Sequence, residues 1–190
     1  TLCILSMGLN NYCIVVTGLP GSGKSTLGVE VAKYFKLPYF DKDDYLERLF
    51  VERGIGGSGW RHVLSRKADE QFLKDSIATN EAVLVSHWRP MGLGVDFGTP
   101  AEWIAGSFDK VVELYCDCSV ELAATRFINR NRHKGHADKS KSIDEVIDWL
   151  KGYEKYLPMS LGHKIVVDST GSSCFQAVKE EIADALRKNA

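Results

Sequence analysis

The sequence predicts an α/β fold: a five-stranded, mostly parallel sheet with helices on both faces. The first observation is alternation, since short apolar and β-branched runs, typical of strands buried on both faces, alternate with segments whose apolar residues recur at helical spacing. The second is a glycine-rich turn that joins the first such run directly to a helical segment. Strands separated by helices pair in parallel, because a parallel pair needs a long crossover connection.

Five segments have strand character. The first, Tyr12–Thr17, contains four β-branched residues in succession, and these residue types favour a buried strand. The other four segments are shorter. The predicted strands are residues 12–17, 38–41, 82–86, 111–115 and 164–167.

Helices are predicted after each strand. Leu27, Val31 and Phe35 repeat at helical spacing in the first helix, and a helix at 43–52 stops at the glycines of 54–59. Longer helical patterns cover 60–78 and 119–129.

Three further helix starts are predicted from capping boxes, in which a hydroxyl residue is followed three positions later by Glu or Gln. The boxes are Thr99 with Glu102, where Pro100 takes the first helical position, Ser142 with Glu145, and Ser173 with Gln176.

Composition limits the class of protein. The chain has 190 residues, 24 Lys and Arg against 25 Asp and Glu, and 44% hydrophobic residues, which predicts one globular domain over 1–190. No apolar run approaches the ~20 residues of a membrane span, and the near-zero net charge argues against a protein that coats nucleic acid. Five cysteines, an odd number in a chain of this length, predict reduced thiols and a cytoplasmic location.

The amino terminus is a poor signal peptide, because its apolar stretch is short and no basic residue precedes it. We expect Met7 to be the natural start, with residues 1–6 lying upstream of it.

The segment Gly18–Ser25 fits the Walker A pattern G-x-x-x-x-G-K-[ST], with a strand before it and a helix after it. Glycines let backbone N–H groups wrap a phosphate, and the helix N-terminus adds positive charge. Lys24 can reach the β- and γ-phosphates, and the Ser25 hydroxyl can bind Mg²⁺. The expected phosphate-binding residues are Gly18, Gly21, Ser22, Gly23, Lys24, Ser25 and Thr26.

Acidic residues follow the second strand. The carboxyl ends of neighbouring strands in an open α/β sheet share one crevice, so these residues can face the phosphate-binding turn. Asp41 is expected near Mg²⁺, and Asp43, two residues later, near the hydroxyl of a phosphate acceptor. The alternative is that the aspartates cap the next helix, and Asp44 is the residue for which we expect that role.

A basic stretch follows the helix at 119–129 and is predicted to form a lid over about 127–142. A movable arginine can neutralise the charge of a transferring phosphoryl group, and Arg130 and Arg132 are the candidates. A solvated basic loop and a nucleic-acid-binding patch are the alternatives. The basic residues are Arg126, Arg130, Arg132, His133, Lys134, His136, Lys139 and Lys141, with Asp138 as the only acid.

With these landmarks the chain resembles the small P-loop kinases of metabolites, the shikimate kinase and gluconate kinase group, to which chloramphenicol phosphotransferase and the polynucleotide 5′-kinase domain are related. The resemblance covers most of the chain. It depends on the phosphate-binding turn, Asp41-x-Asp43, the helix around 122–126 that leads into the lid, and Asp168-Ser169-Thr170.

The resemblance implies ATP and Mg²⁺ as cofactors and assigns roles to several residues. Asp41 would lie near the metal, and Asp43 would contact the acceptor hydroxyl. Arg126 would pack on the adenine side of ATP, and the turn that contains Thr170 would border the adenine. Arg130 or Arg132 would enter from the lid.

The chain also departs from these kinases. The third strand ends in Ser86-His87 and not in a Walker B acid, and the glycine triplet of shikimate kinases is replaced by His87-Trp88-Arg89-Pro90. The identity of the acceptor therefore stays open, as does the residue that replaces the Walker B acid.

The acceptor is expected between the ends of the second and third strands, under helices at about 45–78. Arg61, Arg66 and Arg89 could hold a carboxylate or phosphate. The alternative is that Arg61 and Arg66 pair with Glu70 and neighbouring acids on a helix surface. His62, His87 and Trp88 are further candidates for substrate contact, whereas Trp60, Trp103 and Trp149 are interpreted as packing residues.

The sequence thus predicts an ATP-dependent phosphotransferase that moves the γ-phosphate to a hydroxyl of a small-molecule acceptor. A polynucleotide or nucleoside kinase, and a non-kinase ATP-binding regulatory protein with slow hydrolysis, are the alternatives. Nucleic acid is a possible but disfavoured partner, no membrane partner is expected, and the oligomeric state stays open.

Overall fold

The computed structural model of the chain describes residues 11–91, 96–136, 141–171 and 174–187. Met7 and the hydroxyl of the third capping box, Ser173, lie outside these residues. The strands are β1 (Tyr12–Gly18), β2 (Tyr39–Asp41), β3 (Glu81–Val85), β4 (Lys110–Asp117) and β5 (His163–Asp168). The helices are α1 (Lys24–Phe35), α2 (Lys42–Arg53), α3 (Ser58–Ile77), α4 (Ile104–Ser107), α5 (Val120–Asn129), α6 (Ile143–Glu154) and α7 (Cys174–Arg187), with a 3₁₀ turn at Lys134–His136.

The five strands form one sheet in the order β2-β3-β1-β4-β5, and every neighbouring pair is parallel. This confirms the predicted α/β fold. Because all strands run in the same direction, the ends of β1, β2 and β3 meet at one edge, above which a ligand can contact residues from all three.

The core lies on both faces of the sheet, and the side chains of β1 alternate between them. Ile14 and Val16 pack in a cluster with α1 and α7. Cys13 and Val15 pack in a second cluster with α3 and α4. A third cluster joins α5 to α6. No helix in the described ranges is both long and apolar enough to cross a bilayer.

One predicted helix start is wrong. Thr99 does not cap a helix: it forms an isolated bridge with Trp88, and the nearby helix α4 begins only at Ile104. The Thr99 hydroxyl is buried and lies 2.6 Å from the Ser86 hydroxyl and 2.7 Å from Asp69 Oδ1. The side chain is thus occupied by tertiary hydrogen bonds, which a local capping pattern does not reveal. The box at Ser142 and Glu145 is present as predicted.

Candidate active site

A cavity of about 1190 Å³ opens above the carboxyl ends of β1, β2 and β3. On one side it is lined by the glycine-rich turn, the lid and the turn before α7. On the other side it is lined by α2, α3 and the segments at 85–87 and 96–98. We call these the nucleotide side and the acceptor side.

The glycine-rich turn has a backbone that requires glycine. Gly18, Gly21 and Gly23 have φ values of 137°, 89° and 96°. A Cβ atom at Gly18 would also lie 2.7 Å from the carbonyl oxygen of Cys116. The turn is therefore a concave loop of backbone N–H groups at the start of α1, an arrangement that fits a phosphate.

Lys24 is buried at the base of this turn and folds back over it. Its Nζ donates to the carbonyl oxygens of Gly18 at 3.0 Å and Leu19 at 2.9 Å. Burial lowers the pKa of Lys24 to about 8. An amine held in this way can bridge two phosphates without much loss of side-chain entropy on binding.

Asp41 and Ser25 form an oxygen-rich pair beside the turn. Ser25 Oγ donates to Asp41 Oδ2 at 2.7 Å, and Tyr39 Oη donates to the same oxygen at 3.1 Å. Burial and the negative charge of Asp43 raise the pKa of Asp41 to about 6. A hydroxyl and a carboxylate side by side are donors that fit Mg²⁺.

Asp41 also begins α2, and this corrects the prediction for Asp44. The Asp41 backbone is extended, and its Oδ1 accepts from the backbone N–H of Asp43 at 3.0 Å, which makes Asp41 the N-cap. Asp44 lies inside the helix and is exposed. Asp41 is the N-cap because β2 ends at this residue. The three closely spaced acids in the sequence do not show where the strand ends.

Asp43 lies on the cavity wall two residues after Asp41, and its carboxylate contacts the guanidinium of Arg132 from the lid. Burial would raise the pKa of Asp43, but the positive charges of Arg132, His136 and Lys42 outweigh that effect and lower it. Asp43 is therefore ionised at neutral pH and can accept a hydrogen bond from a substrate hydroxyl.

The described part of the lid lies against α2. His136 Nε2 lies 2.9 Å from Glu47 Oε1, and the His133 ring stacks on Phe50 with centroids 5.4 Å apart. Arg130 lies over the ring of Phe127 at 4.1 Å. Arg130 and Arg132 both line the cavity, whereas residues 137–140, including Asp138 and Lys139, are outside the described residues.

Arg126 and Thr170 lie together at the far end of the nucleotide side. Arg126 donates to the carbonyl oxygens of Ser169 at 2.7 Å and Thr170 at 2.9 Å, and so anchors the turn before α7. Arg126, Ser169 and Gly171 line the cavity. The Thr170 hydroxyl is bonded to Asp168 at 2.6 Å, and Thr170 itself does not line the cavity, although its two neighbours do.

On the acceptor side, the structure brings Arg61, Arg66 and His87 to the cavity wall. Arg66 forms ion pairs with Asp69 at 3.0 Å and Asp96 at 3.2 Å, and none with Glu70 among the described residues. Arg89 does not line the cavity. Its guanidinium donates to the carbonyl oxygen of Phe97 at 3.1 Å and to Asp96.

His87 and Trp88 have different environments. Trp88 is fully buried and donates to the carbonyl oxygen of Val16 at 2.9 Å, so it is a core residue. Both ring nitrogens of His87 are buried and have no hydrogen-bond partner in the part of the chain that the structure describes. Burial lowers the pKa of His87 to about 3, so the ring is neutral.

Several cavity residues were not predicted. Lys42 is buried, donates to Ser65 Oγ at 2.6 Å and lies 3.7 Å from Asp69 Oδ1. Phe97 and Trp149 flank His87, each with its ring centroid 5.8 Å from the imidazole. The sequence interpretation of Trp149 as a packing residue overlooked its place on the cavity wall, and no local signal distinguishes the two roles.

Known proteins that are similar to this chain include several kinases. The shikimate kinase family model matches residues 20–86, which contain the phosphate-binding turn from Pro20 onward and Asp41 and Asp43. A cytidylate kinase of Pyrobaculum islandicum is 27% identical over 132 residues, covering 70% of this chain and 67% of that protein. A shikimate kinase of Dictyoglomus turgidum is 21% identical over 178 residues, covering 90% and 94%.

The fold has solved counterparts as well. The structure of a putative kinase from Chloroflexus aurantiacus superposes with a TM-score of 0.75 at 19% sequence identity, covering 96% of this chain and 100% of that one.

Proposed function

We propose that this chain, which belongs to the superfamily of P-loop small-molecule kinases, transfers the γ-phosphate of ATP to a hydroxyl group of a small-molecule acceptor. The observation that carries the proposal is the position of Asp41 and Asp43. Asp41 is bonded to Ser25 beside the phosphate-binding turn, and Asp43 opens onto the same cavity two residues later. One helix start would thus hold both the carboxylate for the metal and the carboxylate for the acceptor.

The nucleotide side would hold ATP and Mg²⁺. The backbone of Gly18–Gly23 and Lys24 would bind the phosphates, with Thr26 at the start of α1 close by. Ser25 and Asp41 would hold Mg²⁺, which when bound would neutralise phosphate charge. Arg126 and the turn at Thr170 would border the base.

The acceptor side would orient the nucleophile. The ionised Asp43 accepts a hydrogen bond from the acceptor hydroxyl and draws its proton away as the oxygen approaches phosphorus. Arg130 and Arg132 line the cavity from the lid, where their positive charges stabilise the equatorial oxygens of the transferring group. The helices at 45–78 would form the acceptor-binding part of the domain and residues 127–142 its lid.

Two alternatives find less support in the geometry. Among the described lid residues, Arg132 contacts Asp43 and His136 contacts Glu47, so these two basic side chains face the cavity and α2 and not a nucleic acid strand outside. A regulatory protein without an acceptor has no need of the ionised Asp43.

The free thiols of Cys13, Cys116, Cys118 and Cys174 support a reducing compartment such as the cytoplasm.

The test is ADP release from Mg·ATP in the presence of separate acceptor classes: hydroxy acids, sugars, nucleosides, aminoglycoside and phenicol drugs, and oligonucleotides with a 5′-hydroxyl. Lys24→Ala is the blank. A rise of about tenfold or more in the rate of ADP release with one class of small molecule would support the kinase proposal. A tenfold rise corresponds to about 1.4 kcal/mol of transition-state stabilisation by the bound acceptor. Slow release that no acceptor stimulates, together with tight nucleotide binding, would contradict it and favour the regulatory protein.

A further inference from the structure

Two arginines and a histidine on the acceptor side converge on one carboxylate of the protein itself. Arg89 Nη2 donates to Asp96 Oδ1 at 2.7 Å, and Arg66 Nη1 donates to the same oxygen at 3.2 Å. His62 Nε2 lies 2.9 Å from Asp96 Oδ2. These side chains come from α3 and from the segment after β3, so the convergence is produced by the tertiary fold.

The segment that carries Asp96 is held in place by the same cations. Arg89 Nε donates to the Phe97 carbonyl oxygen at 3.1 Å, and Arg66 Nη2 donates to the Gly98 carbonyl oxygen at 3.1 Å. Gly98 has a φ of 73°, and a Cβ atom there would lie 3.0 Å from the carbonyl oxygen of His87. The two guanidinium groups therefore position the carboxylate of Asp96 on the cavity wall as well as pairing with it.

Two further cations that line the cavity are paired as well. Lys42 lies beside Asp69, and Arg132 contacts Asp43. Arg61 lines the cavity and is exposed, with no ion pair to any described residue, so solvent screens its charge. An acceptor with its own carboxylate or phosphate would meet the like charge of Asp96 and would have to displace it from three partners.

The wall beside Asp96 suits an uncharged molecule. Phe97 and Trp149 present aromatic rings to the cavity on either side of His87, and stacking on such rings requires no charge. The two nitrogens of the neutral His87 ring are buried without a partner among the described residues, which costs free energy unless a bound molecule completes their hydrogen bonding.

We propose that Asp96 occupies the anion position of the acceptor pocket with its own carboxylate, so that the enzyme selects an uncharged, ring-containing alcohol over a hydroxy acid or a phosphate ester. The inference depends on the proposed function, since it names the class of acceptor for the same site. Asp96 is here a specificity-determining residue, and Asp43 keeps the contact with the reacting hydroxyl.

The test is a binding measurement that needs no turnover. Inorganic sulfate is titrated by calorimetry into the full chain saturated with Mg²⁺ and a non-hydrolysable ATP analogue, which fills the nucleotide side. Asp96→Asn should bind sulfate about tenfold more tightly than the unmodified protein, because the carboxylate that pairs with Arg66 and Arg89 at this position is removed, while Arg66 keeps its second partner Asp69. Asp96→Glu, which keeps the charge, should restore weak binding.

The matched control is Asp109→Asn, which removes the same charge from an exposed position before β4, away from the cavity. It should leave sulfate affinity unchanged. In addition, Asp96→Asn combined with Arg66→Gln should lose the gained affinity. Equal sulfate affinity in Asp96→Asn and the unmodified protein would overturn the inference, and so would an equal gain in Asp109→Asn.

Turnover gives a second, separate readout. Each ring-containing alcohol is compared with an acid of the same skeleton, for example methyl shikimate with shikimate. The ester should have the higher kcat/KM in the unmodified protein, and Asp96→Asn should shift the ratio toward the acid by about tenfold. A preference for the acid would overturn the inference and leave the kinase proposal standing. Release of ADP that no acceptor stimulates would contradict the kinase proposal. The sulfate titration would still show whether Asp96 occupies the anion position.

Discussion

The nucleotide side and the acceptor side of the cavity are built in different ways. The nucleotide side is formed largely by one continuous segment, Gly18–Thr26, and it presents backbone N–H groups at glycines with positive φ. The acceptor side is formed by side chains from α2, α3, the segments at 85–87 and 96–98, and α6. One side is thus set by local backbone conformation and the other by tertiary pairing of charges.

Because of this difference, substitutions on the two sides should have different effects. A backbone loop that wraps a phosphate tolerates few substitutions, because a Cβ at Gly18 meets the backbone of Cys116. On the acceptor side, the charge that faces the substrate depends on which carboxylate pairs with Arg66 and Arg89, so one substitution can alter it. We therefore expect changes on the nucleotide side to abolish activity and changes on the acceptor side to alter selectivity.

The largest effect is expected for Lys24→Ala. The substitution removes the buried ammonium group that would bridge the phosphates, and kcat/KM should fall by about 10³-fold or more, as for loss of other preorganised charges at a developing negative centre. Steady-state kinetics with the best acceptor measures this. Lys33→Ala, on an exposed position of the same helix, should have nearly unchanged kinetics. Similar losses in both variants would show that helix α1 itself is perturbed.

The second prediction concerns Asp43→Asn. The amide cannot draw a proton from the acceptor hydroxyl, so kcat should fall by about 10²-fold or more while nucleotide affinity changes little. Rapid-quench turnover and titration with a fluorescent ATP analogue separate the two quantities. Asp44→Asn, one residue later and exposed, is the control and should retain kcat. If Asp43→Asn turned over normally, Asp43 would have no role at the acceptor.

The fold and the nucleotide side could be predicted because their signals are local. Each predicted strand end lies within two residues of the observed one, and the Walker A spacing identifies Gly18–Ser25 without tertiary information. Local patterns failed where a side chain had two possible uses. Thr99 fits a capping box but bonds to Asp69. Asp41, and not the expected Asp44, is the N-cap of α2.

The acceptor side could be predicted only in part. Arg66 was expected to contact the acceptor or acids on its own helix. It does pair with Asp69 of that helix, but its second partner, Asp96, is 30 residues away in sequence. The charged residues in the sequence do not by themselves show which of them form ion pairs. Likewise, Trp149 follows the apolar pattern of α6, and only the tertiary fold brings its ring near His87.

The third prediction concerns Arg126, which anchors the turn at the far end of the nucleotide side. Arg126→Ala removes both hydrogen bonds to the turn at Ser169 and Thr170 and should raise the KM for ATP by about tenfold, with a smaller effect on kcat, because the site for the base loses its support. Arg187→Ala, which removes an exposed guanidinium paired with Asp184 in α7, is the control. A fall in kcat at constant KM would instead assign Arg126 to the chemical step.

The smallest effect expected is a change in the pH dependence of stability at His87, which reports on how dry the acceptor side is. Burial lowers the pKa of His87 to about 3 in the folded chain. An unfolded histidine binds a proton below its usual pKa of about 6.5, which the folded protein does not, so stability should fall as the pH drops through this window.

For one such group the loss between pH 7 and pH 5.5 is about 1 kcal/mol, and His87→Phe should remove it from the pH dependence. Urea unfolding at the two pH values measures the difference within each variant, so any change in baseline stability cancels. His163→Phe, at an exposed end of β5, should keep the loss seen in the unmodified chain. An unchanged pH dependence in His87→Phe would mean that solvent or a counter-charge reaches the imidazole. The acceptor wall would then be wet, and its preference for uncharged rings would depend on Asp96 alone.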